Sequence, residues 1–159
     1  MASTPAWIPA FPPYARRVRD CFERQGAMRL IGAELLSVEA GYCAIALAVH
    51  PEVTQQHGFV HAGMVSAIVD TAGGFAGYTL FPEGASVLTV EFKLNLLAPA
   101  RGDRLVAEGF VVKNGRTLSI TRGEVHAERG GERTLVALMQ QTLMVMHGKN
   151  DAPDAHAAR

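Results

Sequence analysis

Cysteine is nearly absent: Cys21 and Cys43 are the only two, and neither sits in a paired metal or redox spacing. A disulfide framework and a Cys-based metal motif are thereby excluded, and a reducing, cytoplasmic setting is expected. Net charge is absent too, because fifteen basic residues balance fifteen acidic ones and neither sign forms blocks. Nothing there attracts nucleic acid or an anionic membrane, so an anionic ligand must be held by local groups. The opening MASTPAWIPAF lacks the basic-then-apolar pattern of a secretory leader. The stretch from His61 to Leu80 is long enough to span a bilayer, but it carries Asp70 at its centre and glycines at 63, 73, 74 and 77. A central Asp costs on the order of 3 kcal/mol on insertion scales, so no membrane span is expected.

At 159 residues, the chain has the length of one ordinary domain, expected over 1–147, and needs neither disulfide nor metal to build a core. Residues 1–13 hold four prolines and form an irregular arm, with Trp7 and Tyr14 as its anchors. Tyr14 to Gln25 reads as a short peripheral helix with Val18 and Phe22 four apart. Met28 to Val49, broken at Glu39-Ala40-Gly41, reads as two strands joined by a turn. After a polar loop from Pro51 to Phe59, the segment His61 to Leu80 is apolar on nearly every face and predicts a buried helix. Ser86 to Leu97 alternates, with Leu88, Val90, Phe92, Leu94 and Leu96 expected on one face and Thr89, Glu91, Lys93 and Asn95 on the other. Strands follow from Arg104 to Val112, from Arg116, and from Thr134 to Met146, with reversals at Asn114-Gly115 and Gly130-Gly131. Residues 148–159 are expected to form a frayed tail. The class is α+β: an antiparallel sheet of about six strands curled around one small-residue helix, with an N-terminal helix beside it.

Asp70 is the residue out of place. It stands among Ile68, Val69, Ala72 and Phe75, where a carboxylate is costly unless paired, hydrogen-bonded or protonated. In most proteins such a group bonds a neighbouring backbone or hydroxyl, and Ser66 and Thr71 are within reach. Ala62 and Gly63, however, lie eight and seven residues earlier, in the first turn of the same helix and on the face of Asp70. Unpaired first-turn amides suit an anion or a developing oxyanion. At 1.5 Å per residue they are roughly 10 Å from Asp70 along the axis, too far for one carbonyl and its attacking water. Two such helices packed antiparallel across a twofold axis would bring both halves together, so the site predicts a homodimer.

The run HGFVHAGMVSAIVDTAGG, followed by TVEFKLNLLAPARGD and KNGRTLSITRGEVHAERGG, resembles the PaaI-like branch of the hotdog-fold thioesterases from about Met28 to Met146. The resemblance implies hydrolysis of an acyl-CoA thioester, aromatic or medium-chain, without metal or redox cofactor. Asp70 is implied as general base or nucleophile, the Ala62 amide as holder of the thioester oxygen, and Thr89 as a hydroxyl near the water. Gln55 stands where the family usually has Asn, and His61-Ala62-Gly63 where it has His-Gly-Gly. His61 and Gly63 are implied in substrate binding. Coenzyme A is implied along Lys113, Asn114, Gly115, Arg116, Thr117 and Leu118, with Lys113 and Arg116 toward its phosphates. Dimers pairing into a homotetramer are a further implication. The acyl pocket is expected to depend on Met64, Phe75, Tyr78 and Phe81. Two other functions fit the same fold: a non-catalytic acyl-CoA or fatty-acid binder, and a hydratase or dehydratase with His57 as its candidate histidine. His57 and His61 are four apart, but Gly58 lies between them and no third ligand is near.

Overall fold

The glycines and alanines of the central segment decide how the chain packs. The structure, a computed structural model, describes residues 6–149 and 151. Its elements are α1 (Tyr14–Arg24), α2 (Gly26–Ile31), β1 (Ala33–Glu39), β2 (Tyr42–Ala48), a 3-10 turn (Pro51–Val53), α3 (Ala62–Tyr78), β3 (Ala85–Leu96), β4 (Arg104–Lys113), β5 (Leu118–Arg129) and β6 (Glu132–His147). The strands form one antiparallel sheet in the order β1-β2-β4-β5-β6-β3. Helix α3 lies across one face, touching chiefly β4, β2, β5 and β3. This is the expected helix wrapped by a sheet.

Helix α3 starts where His61 turns its Nδ1 to accept from the Gly63 amide at 2.8 Å. Ile68, Val69, Ala72 and Ala76 are fully buried along it, and burial of each larger side chain contributes on the order of 1.5–3 kcal/mol. It ends at Tyr78, two residues before the expected Leu80, because Arg17 of α1 caps it. The Arg17 guanidinium donates to the carbonyls of Tyr78, Phe81 and Pro82 at 2.6–2.9 Å, and lies against the rings of Phe11 and Tyr78. The Tyr78 carbonyl belongs to the last turn of α3, and those of Phe81 and Pro82 to the turn that follows it.

Contact between helix and sheet is closer than side chains would allow. A Cβ on Gly109 of β4 would sit 2.3 Å from the Ala72 carbonyl oxygen, and one on Gly123 of β5 2.4 Å from Val69. On the helix side, a Cβ on Gly73 would meet Gln141 at 2.3 Å.

Three expectations are corrected. Met28 to Ile31 is helix rather than strand: Met28 is buried while Leu30 faces outward, and Gly32 at φ 72° ends the turn by donating to the Arg29 and Met28 carbonyls. A short apolar run cannot distinguish the two states by periodicity. Asn114-Gly115 is not a tight two-residue turn, since neither residue has a positive φ and β5 begins only at Leu118. The Asn114 side chain instead accepts from Ser119 Oγ at 3.1 Å, making a wider loop. Gly130-Gly131 does make the tight reversal, with φ of 56° and 88° between the paired Arg129 and Glu132. Third, the alternation of β3 is broken, as described below. The expected irregular arm is irregular over 6–13, and its residues 1–5 lie outside the described residues. Of the expected frayed tail, 150 and 152–159 lie outside them, but Asp151 is docked, accepting from Tyr78 Oη and from Ser86 Oγ.

Both cysteines are free; Cys43 is fully buried, and burial pushes its thiol up to about 12. A thiol reagent at pH 8 will therefore modify no more than one thiol of the native protein and both in denaturant; rapid modification of two native thiols contradicts this packing. Gly109→Ala will lower unfolding free energy by about 3 kcal/mol in chemical denaturation, as forced overpacking does; a loss under about 0.5 kcal/mol would disprove the close approach.

Candidate active site

Asp70 sits in the middle of α3, neither buried nor exposed, with the sheet edge beside it. Its Oδ1 accepts from Thr89 Oγ1 at 2.8 Å and from Gln141 Nε2 at 2.5 Å. Ser66, which sequence placed within reach, instead donates to the Ala62 carbonyl. Among the described residues no hydrogen bond reaches Asp70 Oδ2. One oxygen is thus held by two donors while the other is left to accept a proton or attack a carbon. Hydrogen bonds to a charged group are worth roughly 1.5–3 kcal/mol each, enough to offset much of the cost of placing a carboxylate here.

Thr89 reaches Asp70 only because β3 is bulged. The register with β6 slips between Thr89 and Glu91, so that Thr89 faces Leu143 while Glu91 faces Thr142. Directly paired residues share a face. Val90 absorbs the extra step, and Thr89 then lies on the helix side together with Phe92 and Leu94, which pair with Gln141 and Met139. The expected grouping of Leu88 with Phe92 and of Thr89 with Glu91 is overturned by that one residue.

At the amino end of α3 a cavity of about 580 Å³ is lined by residues that include Gln55, Phe59, His61, Ala62, Val65, Leu96 to Ala100 and Val136. The Gly63 amide is occupied by His61, and among the described residues none accepts from the Ala62 amide. Gln55 is drawn back into its own loop, where its side-chain oxygen accepts from the His57 amide. His57 lies in that exposed loop, off the helix that begins after His61. The residues expected to shape an acyl pocket do not line this cavity: Phe75, Tyr78 and Phe81 are core residues at most 2% exposed, and Met64 packs against the same core. Apolar lining comes instead from Phe59, Val65, Leu96, Leu97 and Val136.

Within one chain the expected residues therefore form separate groups. Asp70 and Thr89 meet; Gln55, His61 and Ala62 meet at the cavity, with Gly63 alongside. Lys113, Asn114, Gly115, Arg116, Thr117 and Leu118 lie at the opposite end of the sheet, where Leu118 pairs with Met144 and the Thr117 carbonyl accepts from Val145. Gln141 was not anticipated. Its signal was phase: from Met139 onward the buried positions of β6 alternate as Met139, Gln141, Leu143 and Val145, and a glutamine in an apolar phase needs partners.

A model of the thioesterase superfamily matches residues 57–134, covering α3 and β3 to β5. A solved thioesterase family protein from Silicibacter pomeroyi is 44% identical over 85% of this chain and 99% of its own, with a TM-score of 0.83. The chain belongs to the thioesterase superfamily. A Haemophilus influenzae thioesterase (21% identity, 94% and 98% of the two chains, TM-score 0.75) and the E. coli PaaI protein of the phenylacetic acid degradation operon (19%, 86% and 95%, TM-score 0.76) share its fold. The shared architecture is the hotdog fold, and the helix bearing Asp70 falls inside the matched segment while Gln55 and Gln141 fall outside it. In this thioesterase, replacing Thr89 by Val keeps shape and removes one donor to Asp70. Turnover will fall about tenfold with KM within twofold, measured by steady-state thiol release; an unchanged kcat would show that the contact is not used.

Proposed function

We propose that the protein hydrolyses acyl-CoA thioesters to a carboxylic acid and free coenzyme A, with Asp70 as the working carboxylate. The observation that carries this is the asymmetry of Asp70, one oxygen held by Thr89 and Gln141 and the other without a donor among the described residues. As general base, Oδ2 takes a proton from water as the water oxygen attacks the thioester carbon, and the C–S bond then breaks as the coenzyme A thiolate leaves and takes up that proton; as nucleophile, Oδ2 attacks the carbon itself, expels the thiolate to leave an acyl-aspartyl anhydride, and water then cleaves that anhydride to the acid and the free carboxylate. Either way, charge develops on the thioester oxygen. An amide such as that of Ala62, at the positive end of α3, is suited to hold it. The cavity beside Ala62, with Phe59, Val65, Leu96 and Leu97 in its wall, suits the acyl group, medium-chain or aromatic.

The two halves come from two subunits in this reading. Strand β3 is a sheet edge of 12 residues, and Leu88, Val90, Phe92, Leu96 and Leu97 are each 43–55% exposed along and beyond it. An apolar edge of that length is a pairing surface. Antiparallel pairing of β3 with its copy makes one continuous sheet and carries the cavity end of one chain toward Asp70 of the other. It also brings the Lys113–Leu118 loop, at the opposite end of each sheet, toward the partner's cavity, where Lys113 and Arg116 could meet the phosphates of coenzyme A. Two dimers joined as a tetramer would leave this arrangement intact.

Asp70→Asn tests the chemistry. Thiol release from short, long and aromatic acyl-CoAs will drop at least a thousandfold, with acyl-CoA still bound; hydrolysis at the wild-type rate would refute the role of Asp70. Val90→Lys tests the dimer, since a buried charge at the paired edge will give monomers in sedimentation and abolish turnover. A fully active monomer would remove the shared site.

A further inference from the structure

We propose that Gln141, backed by Thr121, is a positioning residue that fixes the orientation of the Asp70 carboxylate, an inference that rests on Asp70 being the working group. The amide of Gln141 has four polar contacts from a position 1% exposed. The two protons of its Nε2 are shared among three acceptors, Asp70 Oδ1 at 2.5 Å, the Asp70 main-chain oxygen at 3.1 Å and Thr89 Oγ1 at 3.2 Å, while its Oε1 accepts from Thr121 Oγ1 at 2.7 Å. The orientation of the amide follows from chemistry. A main-chain carbonyl and an ionised carboxylate can only accept, so the NH2 group must face Asp70, and the oxygen is left for the Thr121 hydroxyl, which is itself fully buried.

Holding the carbonyl and the carboxylate of one residue with one rigid amide ties the side chain to the helix backbone. That backbone is weak at this point, because Gly73-Gly74 follow within one turn of Asp70 and glycine is the poorest helix former apart from proline. The weakness and the clamp are one feature. A Cβ at position 73 would lie 2.3 Å from Gln141 Oε1 and 3.1 Å from Thr121 Oγ1, so the amide can reach Asp70 only past a glycine. Thr89 alone leaves the carboxylate free to swing about its contact; the second donor, from a different strand, removes that freedom and directs Oδ2 away from β6. Gln141 touches neither water nor thioester in this scheme and acts only through Asp70.

The experiment is a double-mutant cycle in steady-state thiol release on the full chain, with melting temperatures measured alongside. Gln141→Met keeps an unbranched side chain and removes the amide; kcat is expected to fall 10- to 100-fold, roughly the worth of a hydrogen bond to a charged group, with KM within twofold. Thr121→Val will cost less, Thr121→Ser will restore kcat to within twofold, and Thr121→Val added to Gln141→Met will cost nothing more. Full kcat per folded molecule in Gln141→Met, or additive losses in the double variant, would overturn the proposal, whatever happens to the melting temperature. If Gln141→Met fails to fold, the Thr121→Val and Thr121→Ser pair decides, because loss of kcat in Val without recovery in Ser would overturn it as well. Asp70→Asn keeps the two readings apart: wild-type hydrolysis there removes the role of Asp70 itself, whereas an inactive Asp70→Asn beside a fully active Gln141→Met removes only the clamp.

Discussion

The structure depends on how closely α3 can approach its sheet. Backbone meets backbone where Gly109 passes the Ala72 carbonyl, and the other close passages, at Gly73 and Gly123, follow from the same separation. Where the two backbones touch at Gly109 no side chain lies between them, while around that point the buried apolar residues, Ile45, Leu47, Ile68, Leu105 and Leu143 among them, form one continuous core that also takes in Val18 of α1 and Phe81 of the turn after α3. The close approach also sets the reach of the side chains that act. Gln141 and Thr89, from neighbouring strands, touch a carboxylate on the helix directly, Gln141 because nothing larger than glycine intervenes at position 73.

That geometry turns an electrostatic liability into a differentiated group. A carboxylate among Ile68, Val69 and Ala72 is unfavourable when unpaired, and two donors on one oxygen stabilise the charge without a counter-ion. An arginine or lysine partner would hold the charge more strongly and would also occupy the open oxygen. Neutral donors keep that oxygen available. A similar economy operates at the far end of α3, where Arg17 collects three carbonyls rather than a carboxylate.

Much of this was legible in the residues, and the limits are instructive. The long helix was clear because no strand sustains so much alanine and glycine, and the anomaly of Asp70 needed only its neighbours. What escaped was phase. Alternation in β3 predicts faces only while the pleat is regular, and Val90, an unremarkable strand residue, carries no sign that it will be the extra one. Asn114-Gly115 misled for the converse reason: its turn propensity is real, but side-chain bonding to Ser119 and a second register shift between Val111 and Lys113 settled a wider loop. Gln55 and Ala62 converge on one cavity as local sequence suggests, whereas the distance from that cavity to the Lys113–Leu118 loop depends on the sheet order, which no local pattern encodes.

The bulge in β3 bears on assembly as well as on Thr89. An edge strand offers its free N–H and C=O groups to any extended segment, and a long apolar edge risks open-ended stacking into fibrils. A kink at Val90 interrupts the even spacing of those groups, so a straight foreign strand cannot satisfy both halves of the edge at once. A strand bearing the same kink, run in the opposite direction, meets the irregularity with its own. In the proposed dimer, the residue that turns Thr89 inward would thereby also favour self over stranger at this edge.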